Sequence, residues 1–135
     1  MDTGYSGTPL AKKLGIFADA RVVLLGEPDR FTATLEPLPP RVTLRGTLAG
    51  GADIVVLFTT ERDDLERRVV EVGRAIVPSG ALWVAWPKKA SKVPTDVTED
   101  VVRSVALPLG LVDNKVCAID ATWSGLRLVI RREHR

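Results

Sequence analysis

The residues of this chain most suited to chemistry form a short basic loop. Lys88, Lys89 and Lys92 lie close together, and the hydroxyl of Ser91 stands among them. Ammonium groups and a hydroxyl at this spacing can hold a phosphate or a carboxylate, and a helix expected soon after the loop would add its N-terminal amides. We predict an anion-binding site here, for a small molecule, a partner or a nucleic-acid backbone. A solvated lysine loop that binds nothing is the alternative interpretation.

A second candidate feature lies near the start of the chain. Residues 4–8 (Gly-Tyr-Ser-Gly-Thr) precede a proline and could fold over the edge of a sheet as a lid, with a lysine adding charge. The alternative interpretation is a flexible terminus that leads into a capped helix. The candidate pocket and lid residues are Tyr5, Ser6, Thr8, Lys12 and Trp86.

The three tryptophans differ in their expected positions. Trp83 and Trp86 are three residues apart in one apolar run, so on a strand their side chains face opposite sides of the sheet. We expect both to pack beneath helices, with Trp86 reaching a pocket rim. Trp123 lies in the turn between the last two expected strands and is a candidate contact with a partner, although packing at the sheet edge would also explain it.

Residues for nucleophilic or metal chemistry are scarce. His134 is the single histidine and stands next to the last residue, which disfavours a Ser-His or Cys-His pair. Cys117 is the single cysteine, so no intramolecular disulfide can form, and its apolar neighbours indicate an inert core thiol. No cysteine and histidine cluster has metal-ligand spacing. We therefore predict no catalytic residue, no metal and no cofactor.

Composition defines the class of protein that must position these residues. The 135 residues are 45% hydrophobic and 27% charged, as in folded domains, and we expect one domain over residues 1–135. The 19 basic and 17 acidic residues give a net charge of +2, which argues against a surface built for nucleic acid. The first residues lack a signal-peptide pattern and no apolar run is long enough to span a membrane, so a cytoplasmic location is expected.

Apolar runs of strand length alternate with helical patterns along the chain. Three continuous apolar runs are typical of strands covered on both faces: residues 21–25, 53–58 and 81–86. Residues 41–45 alternate polar and apolar side chains, which indicates a strand nearer the sheet edge. Residues 115–119 and 126–130, joined by a short link, predict an antiparallel hairpin.

Two short helices are expected in the first third of the chain. Thr8 as N-cap, Pro9 in the first turn and Gly15 as a left-handed terminator predict the first helix. Pro28 and the following residues 29–35, which end at a proline cluster, predict the second helix.

Two longer helices follow the second and third apolar runs. The first has Thr60 and Asp63 as candidate caps and one apolar stripe, formed by Leu65, Val69, Val72 and Ile76. The second begins with Asp96 as N-cap and Glu99 three residues later, the spacing of a capping box. Strands that alternate with helices and end in a hairpin predict an α/β fold. We expect a three-layer αβα Rossmann-like sandwich whose mostly parallel sheet has about six strands.

The second half of the chain resembles class I methyltransferases. The resemblance rests on the strand at residues 53–57, the helix after it, and residues 77–84, in which a Pro-Ser-Gly turn leads into the next strand. The terminal hairpin completes the similarity. The resemblance implies a Rossmann-like topology for this half of the chain.

The residues of a conventional cofactor site are missing from the expected positions. Such a site needs glycines after the first strand and an acidic residue after the second. Here the first turn, residues 26–30 (Gly-Glu-Pro-Asp-Arg), has one glycine and a proline that removes a donor amide. The second strand ends in Arg45, a cation in the place of the carboxylate. We therefore do not expect conventional binding of S-adenosylmethionine or NAD.

A closer resemblance covers nearly the whole chain. The sequence is similar to an uncharacterised bacterial family of short proteins, a domain of unknown function, at residues 4–15, 83–89, 116–118 and 122–126. This resemblance implies no particular activity.

These observations favour a non-catalytic binding or regulatory domain. It would hold an anionic small molecule or partner at the carboxyl edge of the sheet, where open α/β sheets place their ligands and where the basic loop is expected. A divergent methyltransferase-like enzyme, whose cofactor is held by other loops, is the first alternative. A weak nucleic-acid-binding module that uses the lysine loop and the arginine-rich end of the chain is the second.

Overall fold

The strands of this chain form one six-stranded sheet in a computed structural model that describes residues 8–134. They are β1 (Arg21–Leu25), β2 (Thr43–Arg45), β3 (Ile54–Phe58), β4 (Ala81–Pro87), β5 (Leu111–Ala118) and β6 (Trp123–Ile130). Their order across the sheet is β2-β1-β3-β4-β6-β5. Strands β1 to β4 run parallel to one another, whereas β6 runs antiparallel to β4 and to β5. The predicted mostly parallel sheet with an antiparallel C-terminal pair is confirmed.

Helices cover both faces of this sheet. They are α1 (Leu10–Lys13), α2 (Phe31–Leu35), α3 (Arg62–Ala75) and α4 (Glu99–Ala106). The apolar side chains of α1 and α2 pack with one set of strand residues, and those of α3 and α4 pack with the other set. We call these the α1/α2 face and the α3/α4 face. The arrangement confirms the expected three-layer αβα sandwich.

The two central strands are the most deeply buried part of the sheet. Every residue of β3 and of β4 is buried, as their continuous apolar sequences predicted. Trp83 belongs to the cluster on the α1/α2 face, where its indole Nε1 donates a hydrogen bond to the Leu14 carbonyl at 3.0 Å. Trp86 belongs to the cluster on the α3/α4 face. The prediction that the two tryptophans face opposite sides is confirmed.

Several element boundaries differ from those predicted, each for a local reason. Helix α2 begins two residues later than expected because Arg30 has a left-handed backbone (φ 68), which an α-helix cannot include. Arg41 is also left-handed (φ 61), and β2 is correspondingly confined to Thr43–Arg45. Strand β5 begins four residues earlier than predicted, because a bulge after Asp113 breaks the alternating pattern by which a strand is recognised. Strand β6 begins three residues earlier than predicted, so the prediction that Trp123 lies in the turn is wrong: Trp123 pairs with Pro87 at the start of β6.

The predicted N-cap of the first helix is shifted by one residue. Pro9 rather than Thr8 occupies the N-cap position of α1, and no side chain caps this helix. Gly15 has a left-handed backbone (φ 79) and its N–H donates to the Lys12 carbonyl at 3.0 Å. The predicted glycine terminator is therefore confirmed.

The predicted cap of α3 is wrong. Neither Thr60 nor Asp63 caps this helix, because its N-cap residue is Glu61 and Glu61 makes no side-chain hydrogen bond there. The Asp96 carboxylate instead accepts a hydrogen bond from the Arg62 N–H at 2.7 Å. A residue from a later loop thus caps the start of α3.

The predicted capping box of α4 is wrong for the same reason. Asp96 is engaged at α3, and α4 begins only at Glu99. The N-cap residue of α4 is Thr98, whose Oγ1 accepts a hydrogen bond from the Val101 N–H at 3.2 Å. A threonine directly before the helix therefore caps it, at the Val101 amide and not at the Glu99 amide that the predicted capping box would have satisfied.

No helix in the described part of the chain is both long enough and apolar enough to cross a membrane.

Candidate functional site

The carboxyl ends of β1 to β4 lie at one edge of the sheet, where α/β proteins of this kind bind ligands. The chain moves outward from β1 to β2 and then returns past β1 to β3, so the topological switch point lies between β1 and β3. The turn after β1 is packed tightly there. Gly26 has a left-handed backbone (φ 68), and a Cβ at this position would stand 2.6 Å from the Phe58 carbonyl oxygen at the end of β3. The turn after β1 therefore packs closely against the end of β3.

The cation at the end of β2 has a structural role. The Arg45 guanidinium donates Nη1 to the Ala49 carbonyl at 2.5 Å and Nη2 to the Gly51 carbonyl. It therefore organises the loop of residues 46–51, which joins β2 to β3 without a helix. The charge that sequence analysis placed where a ribose-binding carboxylate is usual is directed into the protein's own backbone. Arg45 Nε is buried without a hydrogen-bond partner.

A groove lies farther along the same edge, beyond the end of β4. It has a volume of about 540 Å³. We call it the β4 groove. It is lined by Trp86, Pro87, Lys89, Lys92, Val93, Pro94, Thr95, Val97, Thr98 and Glu99. Its floor is apolar, because Trp86, Pro87 and Val97 are buried members of the hydrophobic interior, and its rim carries the polar and charged side chains.

Two of the predicted lysines lie on the rim of this groove. Lys89 and Lys92 both line it, and within residues 8–134 neither ammonium group forms an ion pair. Lys92 is held in a left-handed conformation (φ 61) that ends the short 3₁₀ turn Lys89–Ser91. The two charges therefore face solvent above an apolar floor.

The other two members of the predicted loop shape the turn. The Lys88 N–H donates to the Thr122 carbonyl at 2.8 Å, and the Lys88 carbonyl accepts the Ser91 hydroxyl at 2.7 Å. The same hydroxyl oxygen accepts a hydrogen bond from the Val93 N–H at 3.2 Å. Neither Lys88 nor Ser91 is among the residues that line the groove.

One wall of the groove is tied to the loop after β3. The Thr95 hydroxyl donates to the Thr60 carbonyl at 2.7 Å, and the Asp96 N–H donates to the same oxygen at 3.3 Å. Together with the cap that Asp96 provides for α3, these bonds hold the segment from Thr95 to Val97 in place. This wall of the groove is therefore held in a fixed position by hydrogen bonds to its neighbouring elements.

The opposite end of the groove carries a carboxylate that is already paired. Glu99 forms an ion pair with Arg103, which also pairs with Asp113 at 3.1 Å. The hydrogen bonds that the Arg103 guanidinium donates to the Asp113 and Glu99 carboxylates raise its pKa. The lining of the groove carries two lysines, Lys89 and Lys92, against the single carboxylate of Glu99, so its net charge is positive. The first turn of α4 also carries Asp100, so the helix amides expected to receive an anion already have carboxylates beside them.

The candidate lid does not assemble around the groove within the described residues. Tyr5 and Ser6 lie outside residues 8–134. Thr8 and Lys12 do not line the groove. Lys12 is exposed on α1, which covers the face of the sheet opposite to α4. Trp86 is the one candidate of this set that reaches the groove.

Trp123 packs at the sheet edge. Its ring meets Phe58 edge-on, with ring centroids 5.0 Å apart, and Phe58 meets Phe31 in the same way at 4.7 Å. Trp123 is half-buried and belongs to the packing of the α1/α2 face. Aromatic packing of this kind accounts for its presence without a partner.

Sequence analysis missed a polar groove near the ends of β1 and β2. Its volume is about 440 Å³, and its lining includes Thr47, Arg67, Arg68 and Asp64. Burial opposes ionisation of Asp64, but hydrogen bonds from Thr59 and Arg68 outweigh it and lower the pKa of this carboxyl. Both arginines contact Asp64, at 3.5 and 3.0 Å, and Glu71 also lines the groove, so its two positive charges are matched by two carboxylates.

Residues for covalent or metal chemistry do not converge in the described structure. Residues 8–134 contain no group of three or more histidine, cysteine, aspartate or glutamate side chains placed to hold a metal ion. Cys117 is half-buried on β5, and burial raises the pKa of its thiol, although Lys13 and Lys115 oppose this effect. The thiol is therefore poorly suited to act as a nucleophile.

Comparison with protein families assigns the chain to one family. Residues 46–132 match a family of proteins of unknown function, DUF3052, and the chain belongs to it. No curated protein matches the sequence.

Solved structures with the same fold include several methyltransferases. A protein assigned as a type 11 methyltransferase from Sulfolobus solfataricus has a TM-score of 0.63 at 13% identity, over 90% of this chain and 89% of that chain. A SAM-dependent methyltransferase from Aquifex aeolicus has a TM-score of 0.60 at 12% identity, over 90% and 87%. Aeropyrum pernix fibrillarin, with natively bound S-adenosyl-L-methionine, has a TM-score of 0.61 at 14% identity, over 93% and 70%. The chain is similar to these proteins in its Rossmann-like fold.

Proposed function

We propose that this member of the DUF3052 family is a binding domain that holds a small anionic molecule in the β4 groove. One observation carries the proposal. Within residues 8–134, Lys89 and Lys92 have no ion-pair partner, and they lie on the rim of a groove whose floor is formed by Trp86, Pro87 and Val97. An apolar floor with a few convergent charges is the usual composition of a small-molecule site.

The shape and charge of the groove indicate which ligands fit. A volume of about 540 Å³ accommodates a molecule of nucleotide size or smaller. The apolar floor favours a ligand with a flat or aliphatic part, and the two lysines favour a phosphate, sulfate or carboxylate group on that part. A long polyanion would need a continuous basic surface, and the Glu99 and Asp100 carboxylates interrupt such a surface at the end of the groove.

A thermal-shift panel tests the proposal. The probes are citrate, adenosine monophosphate, adenosine triphosphate and S-adenosylmethionine, followed by calorimetric titration of any that stabilise the protein. A ligand at a hundred times its Kd stabilises by about 2.7 kcal/mol. For a chain of this length that corresponds to a rise in Tm of about 10 °C.

A pair of matched variants localises the binding. The double variant Lys89→Ala/Lys92→Ala should weaken the anionic probe at least tenfold, because hydrogen bonds to charged groups contribute about 1.5–3 kcal/mol each. The control Lys12→Ala/Arg132→Ala removes the same charge away from the groove and should leave the affinity unchanged. Equal affinities in the two double variants would exclude the β4 groove as the site. Binding that is confined to oligonucleotides and falls steeply with salt would favour a nucleic-acid module instead.

A divergent methyltransferase is the second candidate function. Its support is the fold shared with methyltransferases, one of which holds S-adenosyl-L-methionine. The contact between Gly26 and Phe58 and the engagement of Arg45 argue against the conventional cofactor position. Among the probes, a response to S-adenosylmethionine alone would favour this candidate, above all if it survives in Lys89→Ala/Lys92→Ala.

A further inference from the structure

A second polar pocket lies far from the β4 groove. It has a volume of about 220 Å³ and is lined by Ser79, Gly80, Asn114, Arg127 and Val129. Ser79 and Gly80 directly precede β4, so the pocket lies toward the amino edge of the parallel strands, opposite to the edge that carries the β4 groove. Arg127 on β6 is the cross-strand neighbour of Trp83 on β4, so the two side chains share one face of the sheet, the α1/α2 face. The pocket therefore differs from the β4 groove in both edge and face.

The charge in this pocket is incompletely satisfied. Arg127 is half-buried, and within residues 8–134 it forms no ion pair. Its one hydrogen bond in that part of the chain runs from Nη1 to the Asn114 side-chain oxygen at 3.2 Å. A guanidinium group has five N–H donors, so most of them remain available. Burial lowers the pKa of this guanidinium, which is the effect of desolvation without a compensating negative charge.

A second cation stands directly beside Arg127. Lys115 on β5 is its cross-strand neighbour, and like charges in this position repel each other. The Lys115 ammonium donates to the Lys13 carbonyl at 3.0 Å, which satisfies a donor but supplies no full negative charge. The nearest acidic residue on β5, Asp113, pairs with Arg103. An anion held at Arg127 would relieve this repulsion.

The backbone around the pocket positions its polar groups. The register of β5 against β6 shifts between Asp113 and Lys115, which makes Asn114 the extra residue of a bulge. Bulges re-aim side chains and are common beside functional sites, and this bulge brings the Asn114 amide to Arg127. Gly80 is fixed as well, because a Cβ there would lie 2.9 Å from the Ala52 and Ile76 carbonyl oxygens. The turn that carries Ser79 therefore has little freedom to move.

We propose that Arg127, Asn114 and Ser79 form a second anion site, which takes a single phosphate or carboxylate group. Arg127 would bind two oxygens through its planar N–H groups, the geometry in which arginine recognises both kinds of oxyanion. The Asn114 amide nitrogen and the Ser79 hydroxyl are the further donors. A pocket of about 220 Å³ admits an inorganic oxyanion or a short carboxylate. The proposal is independent of the β4 groove.

Titration followed by NMR tests this site directly. Inorganic phosphate and acetate are added separately, at constant ionic strength, while the Arg127 Nε–H and the Gly80 and Val129 amides are observed. We expect saturable shifts at these three groups. A response to phosphate alone or to acetate alone identifies which oxyanion the site prefers. The amides of Ala90 and Val97 report the β4 groove in the same spectra, so binding at the two sites is distinguished.

Variants separate binding from structure. Arg127→Gln should weaken the preferred oxyanion at least tenfold, and Arg127→Lys should weaken it less because the charge remains. Ser79→Ala and Asn114→Ala should each weaken it severalfold, and both remain informative if Arg127→Gln does not fold. Arg132→Gln is the control and should not change the titration. Shifts that grow linearly without saturation, or equal affinity in the native protein, Ser79→Ala and Asn114→Ala, would overturn the proposal.

Discussion

Replacing Asp96 by alanine should destabilise a helix that begins 34 positions earlier in the chain. The Asp96 carboxylate accepts the Arg62 N–H at 2.7 Å, and Glu61, the N-cap residue of α3, offers no side-chain hydrogen bond in its place. The variant leaves one amide at the start of α3 without its acceptor and removes a negative charge from the positive end of the helix dipole. Thr95 keeps its bond to the Thr60 carbonyl, so the loop remains attached.

The expected loss follows from these two terms. An N-cap contributes about 1 kcal/mol, and a carboxylate near a helix N-terminus adds about 0.3–1 kcal/mol. We therefore expect the free energy of unfolding to fall by about 1–2 kcal/mol. The entropy of unfolding is about 2.1 cal/mol/K per residue, so each kcal/mol lowers the Tm of a 135-residue chain by about 3.5 °C. The predicted fall in Tm is about 4–7 °C.

Urea unfolding at pH 7 and thermal unfolding by circular dichroism measure this loss, and hydrogen exchange of the Arg62 amide localises it. Asp96→Asn keeps an oxygen acceptor and should lose less than half as much. Asp63→Ala is the matched control, because Asp63 lies in the first turn and contributes through the dipole alone. If Asp63→Ala costs as much as Asp96→Ala, or if Arg62 exchange does not accelerate in Asp96→Ala, the long-range cap does not stabilise α3.

Two further predictions concern a buried turn and an ion pair. Gly73 lies inside α3 with open space around its Cβ position, so Gly73→Ala should stabilise the protein by up to about 1 kcal/mol. Gly80→Ala should destabilise the protein, because its Cβ would lie 2.9 Å from backbone oxygens. Tm shifts of the same sign in the two variants would contradict this prediction. The hydrogen bond from the Arg21 side chain lowers the pKa of the Asp53 carboxyl below its unfolded value, so the pair stabilises the fold above about pH 4 and this contribution is lost as pH falls through the folded pKa. The free energy of unfolding, measured in urea from pH 7 to pH 2, should be lower for Asp53→Asn than for the native protein at neutral pH. The gap between the two proteins should shrink only below about pH 4. A gap that stays constant to pH 2 would refute the linkage.

Sequence patterns predicted the strands and layers of this fold because burial on two faces demands continuous apolar runs. The runs that became β1, β3 and β4 are five to seven residues long, a length that favours buried strands over buried helices. Capping was predicted poorly, since a carboxylate can reach any amide that the tertiary structure brings near it. Asp96 stands at a capping-box spacing from Glu99, yet its partner is Arg62. Local spacing cannot distinguish these outcomes.

The candidate sites were predictable only where charge and topology coincide. The basic loop follows a buried strand, so its place at the carboxyl edge could be inferred from the sequence. The sequence could not show which of its four polar residues line the groove and which hold the turn together. Ser91 and Lys88 bond to each other, and this follows from the 3₁₀ turn rather than from residue type. Arg127 was indicated by the sequence only as part of the arginine-rich end of the chain and not as a site of its own. An arginine in the last strand resembles a solvated edge residue until the bulge at Asn114 and the turn at Ser79 are seen beside it.

The edge of the sheet at the switch point is closely packed. Ligands of open α/β sheets bind where loops separate at the switch point, and here the turn after β1 touches the end of β3 through Gly26. Arg45, one strand farther out, directs its charge into the loop of residues 46–51, so the charge serves the connection that lacks a helix. A connection without a crossover helix needs such support, because its carbonyls have no helical partners. Arg45, the cation that stands in the place of the acid of a cofactor site, therefore stabilises this loop. Binding at the β4 groove is compatible with this arrangement, since that groove depends on the loop after β4 and its contacts with α3 and not on the turn after β1.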